Sequence, residues 1–152
     1  MGVMFRRILV ATDGSPTSEK AVETVLRLKL QTPEIEVAVL HVSEAPSKTM
    51  VEPSVEHSSK LIVLPDSTRM SMIREKDEIL ERARIIAEEM GVKVKLLNRM
   101  GDPASIIVEE AEKGGYDLIV IGGEGFGRSG RILGSVASRV INHFKGSVLV
   151  IR

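Results

Sequence analysis

Two stretches of the chain, Ile8 to Ala11 and Leu118 to Ile121, are apolar at every position. A strand with one face in water alternates apolar and polar residues. An unbroken apolar run ending in turn residues therefore predicts a strand covered on both faces, at the centre of a parallel sheet. The first run stops at Thr12 and Asp13; the second stops at a loop carrying Gly122, Gly123, Gly125, Gly127 and Gly130. Elsewhere the period changes. Ser15 is placed to cap a helix with Pro16 in its first turn, and Ala21, Val22, Val25 and Leu26 give that helix one apolar face. After Pro33, the alternation of Ile35, Val37 and Val39 leading into Leu40, His41 and Val42 predicts the second strand.

Residues 44–71 hold Pro46, Pro53, Pro65 and many serines, with Leu61 to Leu64 as the one apolar island. So long a stretch without a period reads as a mobile or functional excursion, a candidate lid. Helical spacing returns from Met72 to Met90 through Ile73, Ile79, Leu80, Ala83, Ile86, Ala87 and Met90, and Gly91 follows as a stop. Val92, Val94 and Leu96 alternate with lysines as a third, peripheral strand. Asp102 and Pro103 open a helix that ends at Gly114 and Gly115. Beyond the glycine loop, Ile132, Leu133, Val136, Val140, Ile141 and Phe144 predict a last helix ending at Gly146, and Ser147 to Ile151 a last strand. Five strands alternating with four helices predict an α/β fold: a parallel sheet with right-handed crossovers and helices on both faces, in one domain over residues 1–152.

In such sheets ligands lie beyond the carboxyl ends of the strands where the strand order reverses. A loop rich in glycine that feeds the positive end of a helix suits an anion, because backbone N–H groups can approach it without side chains in the way. Two phosphate motifs are excluded by their details. Gly125, Gly127 and Gly130 have dinucleotide-fingerprint spacing, but no acidic residue follows about 20 positions on to hold a ribose. Gly125 to Gly130 has Walker A spacing, but Arg131 and Ile132 stand where Lys and Ser or Thr are required. A tight strand-to-helix connection that binds nothing also accounts for these glycines, as a turn-capping role does for Asp13. Arg139 reads as the solvated side of its helix.

Composition narrows the classes. A net charge of zero and a pI near 6.9 give no reason to expect nucleic acid or an acidic membrane as partner. With no cysteine, no apolar run of transmembrane length and no signal-type start, the chain reads as a soluble protein of the cytoplasm. His41, His57 and His143 fall on three separate stretches without ligand spacing, so no metal site and no catalytic residue is assigned.

The opening RRILVATDGS, the LHV of Leu40 to Val42, the GDP of Gly101 to Pro103, the DLIVIGG of Asp117 to Gly123 and the closing LGSVASRVINHFKGSVLVIR resemble the universal stress proteins. The likeness covers nearly the whole chain outside 44–71. It implies a three-layer α/β/α fold of the adenine nucleotide alpha hydrolase-like kind, with sheet order 3-2-1-4-5. It also implies a homodimer through the C-terminal strand and, in one branch, an ATP site between strands one and four. ATP-binding members show Gly, two residues, Gly, nine residues, then Gly with Ser or Thr. Gly122, Gly125, Gly134 and Ser135 supply each fixed residue, with eight residues between Gly125 and Gly134, and Glu124 stands where the family often has a basic or neutral residue. Carried over, the resemblance places phosphates at Gly122, Gly125, Gly134, Ser135 and Val136; Gly123, Gly127 and Arg128 join the candidate nucleotide-binding set, Arg128 either facing phosphate or on the solvated side. It places the adenine edge at the backbone of Val42 and the ribose at Asp13, beside Ala11 and Thr12. The implied ligand is ATP, alone or with Mg²⁺, in a regulator or switch of the stress response with at most slow hydrolysis. A second branch of the family is a dimeric module without nucleotide. A hydrolase-type enzyme ranks last, with no base or nucleophile placed near the loop.

Overall fold

The computed structural model describes residues 2–44, 66–124 and 132–152, with 66–77 described as helix backbone. In chain order the elements are β1 (Arg7–Ala11), α1 (Pro16–Gln31), β2 (Glu36–Ser43), α2 (Asp66–Met90), β3 (Lys95–Met100), α3 (Pro103–Gly114), β4 (Leu118–Gly122), α4 (Ser135–His143) and β5 (Ser147–Ile151). Every strand pair is parallel and the sheet order is β3-β2-β1-β4-β5, the order the resemblance implies.

The unbroken apolar runs have a direct explanation in packing. Ile8 and Val10 of β1 join Val37, Val39, Leu118 and Val120 in a core against α1 and α2. Leu9 and Ala11 join Ala38, Leu40, Ile119 and Ile121 in a second core against α3 and α4. Each central strand thus divides its side chains between two apolar layers, and a full burial of this kind stabilises by about 1.5–3 kcal/mol per Val, Leu or Ile. A charge at Val120, which is 0% exposed, would enter a layer with no partner for it.

Three elements differ in their bounds from the pattern read in the sequence. Helix α2 begins at Asp66 and not at Met72, so residues 66–71 of the supposed excursion are helix. No Pro or Gly interrupts 66–90, and a polar first turn conceals the period. Strand β3 runs Lys95–Met100, later than the alternation of Val92, Val94 and Leu96. Gly91, at φ 69°, closes α2: its N–H donates to Glu88 O (3.0 Å), and the N–H of Val92 donates to Ala87 O (3.0 Å). That paired bonding is a Schellman cap, so Val92 belongs to the helix end while packing against the first core. Finally, α4 spans Ser135–His143; Ile132 precedes it and is 75% exposed, and the helix stops before Phe144 and not at Gly146.

Candidate functional site

Beyond the carboxyl ends of β1, β2 and β4 lies a cavity of about 560 Å³. Its walls are the β1–α1 turn, the end of β2 from Leu40 to Glu44, the start of α3 at Pro103 and Ile107, and the start of α4 from Gly134 to Ala137. β1 and β4 are neighbours here, with β2 beyond one and β5 beyond the other, so the strand order reverses at this point.

The β1–α1 turn is held by its own polar residues. Thr12 N–H continues the ladder to Leu40 O (2.9 Å), and Gly14, at φ 80°, then turns the chain toward α1. A glycine suits that left-handed conformation, which strains other residues. Gly14 N–H donates to Thr12 Oγ1 (3.2 Å), while Asp13 Oδ1 accepts from Ser15 N–H (2.9 Å) and from Ser18 Oγ (2.9 Å). Ser15 caps α1 by accepting from Ser18 N–H (3.4 Å). Asp13 therefore performs the turn-capping role that its position suggests, and the residue is also exposed on the cavity wall. Beneath the turn, His41 is 7% exposed and its Nδ1 lies 2.8 Å from Thr12 O.

The end of β4 is clasped to α1. Glu124 O accepts from Thr17 Oγ1 (2.7 Å) and Ser15 Oγ (3.3 Å), and Glu124 N–H donates to Thr17 Oγ1 (3.2 Å). The approach is close: a Cβ at Gly122 would sit 2.6 Å from both Ser18 N and Thr17 Oγ1. Gly122 is thus required by the seat of α1. Gly123 donates its N–H to Ile151 O (2.7 Å) and accepts from Gly134 N–H (2.8 Å), so the Gly123 and Gly134 amides are engaged within the protein.

Helix α4 begins without a side-chain cap. Gly134 occupies the N-cap position, and the first intrahelical bond is Ser138 N–H to Gly134 O (3.0 Å). The N–H groups of Ser135, Val136 and Ala137, at the first turn, have no acceptor within the helix. These residues line the cavity, so the positive end of the helix dipole faces it. Nearby, Arg139 does not simply face solvent. Its guanidinium grips Asp102 in a two-pronged pair (2.8 and 2.7 Å), and Asp102 caps α3 by accepting from Ser105 N–H (3.1 Å). Arg139 first, and then Ser105, holds the Asp102 carboxyl well below the usual range.

Of the residues predicted from sequence, Ala11, Thr12, Asp13, Val42, Gly122, Gly134, Ser135 and Val136 line the cavity together. Gly123 adjoins it with its Cβ position facing Val150 of β5. Gly125, Gly127 and Arg128 lie outside the described residues, as does 45–65 of the supposed lid. The sequence reading missed the lining residues Ser15, Ser18, Glu44, Pro103 and Ile107 and the clasp residue Thr17. The S-P-T-S run of Ser15 to Ser18 directly after a buried strand was the available signal. Among the described lining residues Asp13, Glu44 and Glu124 are acidic and none is Lys or Arg. No cluster of three or more metal-ligating side chains occurs among the described residues.

The model of the universal stress protein family matches residues 4–152. The chain is 33% identical to universal stress protein YxiE of Bacillus subtilis over 98% of its own length and 100% of the relative's. It is 34% identical to universal stress protein MJ0531 of Methanocaldococcus jannaschii over 98% of its length and 83% of the relative's. Among solved structures, that of MJ0577 superposes with a TM-score of 0.75 at 28% identity, covering 98% of this chain and 96% of that one. A universal stress protein in complex with cAMP superposes at 0.70 with 23% identity, covering 99% of each chain. One from Archaeoglobus fulgidus in complex with dAMP superposes at 0.63 with 24% identity, covering 99% of this chain and 100% of that one. At these last two identities the likeness is one of fold. On the match along residues 4–152 and the identity to YxiE, the chain belongs to the universal stress protein family.

Proposed function

We propose that the cavity binds an adenine nucleotide, ATP with Mg²⁺ in the first instance, and that the protein is a homodimeric regulator of the stress response in the cytoplasm. The observation that carries this reading is the uncapped start of α4, which turns the Ser135, Val136 and Ala137 amides toward a cavity large enough for a nucleotide. Structures of the same fold with cAMP and dAMP agree with an adenine ligand. In this arrangement the α4 amides and Ser135 Oγ receive phosphate, Val42 backbone groups face the adenine edge and Asp13 holds the ribose. In the family's pattern Gly125 is the further glycine of the phosphate loop. Three carboxylates on the wall repel a bare polyphosphate, so Mg²⁺ should strengthen binding. Any hydrolysis is expected to be at most slow, as no base or nucleophile is assigned to it among the described residues.

Calorimetry on ligand-stripped protein tests the reading. ATP with Mg²⁺ should bind with a dissociation constant on the order of micromolar and raise the melting temperature by mass action. Glu124→Ala should bind at least as tightly, because the main chain of Glu124 and not its carboxylate makes the clasp. No heat at millimolar ATP would leave the second reading, a dimeric module without nucleotide. That reading draws support from the engaged Gly123 and Gly134 amides and from the acidic wall.

The dimer contact is proposed along β5. Among the described residues this strand pairs only with β4, and its apolar Leu149 is 38% exposed. Such an edge invites pairing with a second copy. Leu149→Glu with Val150→Lys should shift the protein to monomer in light scattering; an unmodified protein that is already monomeric removes the contact.

A further inference from the structure

His41 is the one histidine buried in the described structure, and the nucleotide reading gives it no part. It stands at the end of β2 with its Nδ1 2.8 Å from the carbonyl oxygen of Thr12. A carbonyl oxygen only accepts, so the geometry requires Nδ1 to carry a proton and donate it. Thr12 is consequently fixed to β2 at both of its main-chain polar groups: its N–H by Leu40 O (2.9 Å) and its carbonyl by His41. It is the last residue so fixed. Asp13 follows at once, and the left-handed turn at Gly14 then leads to the Ser15 cap.

We infer that His41 is a positioning residue for the nucleotide site. By holding the peptide plane between Thr12 and Asp13, it sets the direction in which Asp13 leaves the sheet and faces the cavity. This plane has a soft rotation otherwise, because its N–H side is free of the ladder: Asp13 N–H reaches only Ser18 Oγ, at 3.3 Å. A ribose contact made by a carboxylate tolerates little misplacement; Ser15 N–H and Ser18 Oγ hold Asp13 Oδ1 within the turn, and an unfixed plane would let that turn shift against the sheet and the cavity. The inference rests on the nucleotide reading for its effect on binding, but the hydrogen bond itself is a property of the free protein.

The test exploits the two amide side chains. Asn places its amide nitrogen near the position of Nδ1 and Gln near that of Nε2, while both bury one amide of similar polarity. His41→Asn should therefore keep Mg²⁺-ATP affinity within about threefold, and His41→Gln should lose about tenfold, the size of one net hydrogen bond. Their melting temperatures should remain alike. Equal affinity of the Gln variant and the unmodified protein would overturn the inference, as would equal losses in both variants. A separate arm uses the unmodified, nucleotide-free protein: long-range ¹H–¹⁵N correlation of the imidazole should show the proton on Nδ1, and a proton on Nε2 alone would overturn the inference without any variant. If the unmodified protein binds no ATP, the nucleotide reading falls. His41 is then judged on backbone amide shifts of Asp13 to Ser15, which should move in the Gln variant and stay in the Asn variant; movement in neither overturns it.

Discussion

Three helices begin at the rim of the cavity, and they begin in two different ways. α1 and α3 each start with a side-chain cap, Ser15 and Asp102, followed by a proline at the first turn. α4 starts with Gly134, has no side-chain cap and no proline, and leaves its first-turn amides facing the cavity. Glycine in place of a serine or aspartate cap costs a helix only about a few tenths of a kcal/mol, so the nine-residue α4 carries a small deficit that α1 and α3 do not have and leaves its first-turn amides open. A phosphate on those amides would supply what a serine or aspartate supplies elsewhere. On the proposed reading, fold stability and ligand binding would draw on the same unsatisfied groups at one helix and be separated at the other two.

The strongest way to break this division is to unseat α1. Gly122→Ala puts a methyl group 2.6 Å from Ser18 N and Thr17 Oγ1, both held by the first turn of α1. Overpacking against main chain costs about 1–3 kcal/mol, and the upper end is expected here. A denaturant melt should show this as a lower midpoint at unchanged slope; an unchanged midpoint would mean that α1 can shift freely.

Next in size is the conversion of α4 into a helix of the α1 type. Ser135→Pro removes one first-turn N–H and the hydroxyl, yet it suits a first helical position, and Gly134 at φ −60°, ψ 156° already has the extended conformation that precedes a proline. Nucleotide affinity should fall about tenfold or more with the melting temperature of the free protein maintained. Ser135→Ala, which keeps the N–H, should lose less. Equal affinity of the Pro variant and the parent would place the phosphate elsewhere.

A smaller effect is expected at α3. Asp102→Ala removes a cap and should cost about 1 kcal/mol, whereas Asp102→Asn keeps the cap and loses only the ion pair with Arg139. Both partners of that pair are half exposed, so its share is under about 1 kcal/mol. The pH dependence follows from the lowered Asp102 pKa. A carboxylate with a depressed folded value contributes stability that is complete above its ordinary value, near 4, and is lost as the pH falls through the folded value. The Asn variant should lack this part of the acid loss in pH-dependent melts. Parallel acid limbs in variant and parent would rule out the contribution.

How well the sequence foretold the molecule depended on whether the deciding contact was local. β1 and β4 were legible because double burial leaves a mark on every residue of the strand, and α1 and α3 because their caps lie beside them in sequence. The end of α2 was legible at Gly91, but the cap carried Val92 with it and displaced the apparent start of β3. The site was legible in outline, since Asp13, Val42, Gly134 and Ser135 do meet. Gly122 and Gly123 are close approaches as read, with neighbours the sequence did not reveal. Gly122 makes room for Thr17 and Ser18, more than 100 positions away, and Gly123 adjoins Val150. Nothing within the loop could distinguish a main chain from a phosphate as the object approached. The Arg139 pair with Asp102 was hidden for the same reason, since it joins two helices that the sequence keeps 37 positions apart.

The sheet's two margins are unlike each other. The outer strand β3 carries Lys95, Asn98 and Arg99, all exposed, before an exposed Met100 at its end, while β5 presents Val148, Leu149, Val150 and Ile151 without a charge among them. Charged side chains discourage a neighbouring strand from docking, and apolar ones welcome it. A β-sheet with two welcoming margins could add copies without limit and grow into a filament. With one such margin among the described residues, edge-to-edge association of the kind proposed for β5 would run out of places to attach after a single partner, and the asymmetry that would permit a pair would also oppose fibres.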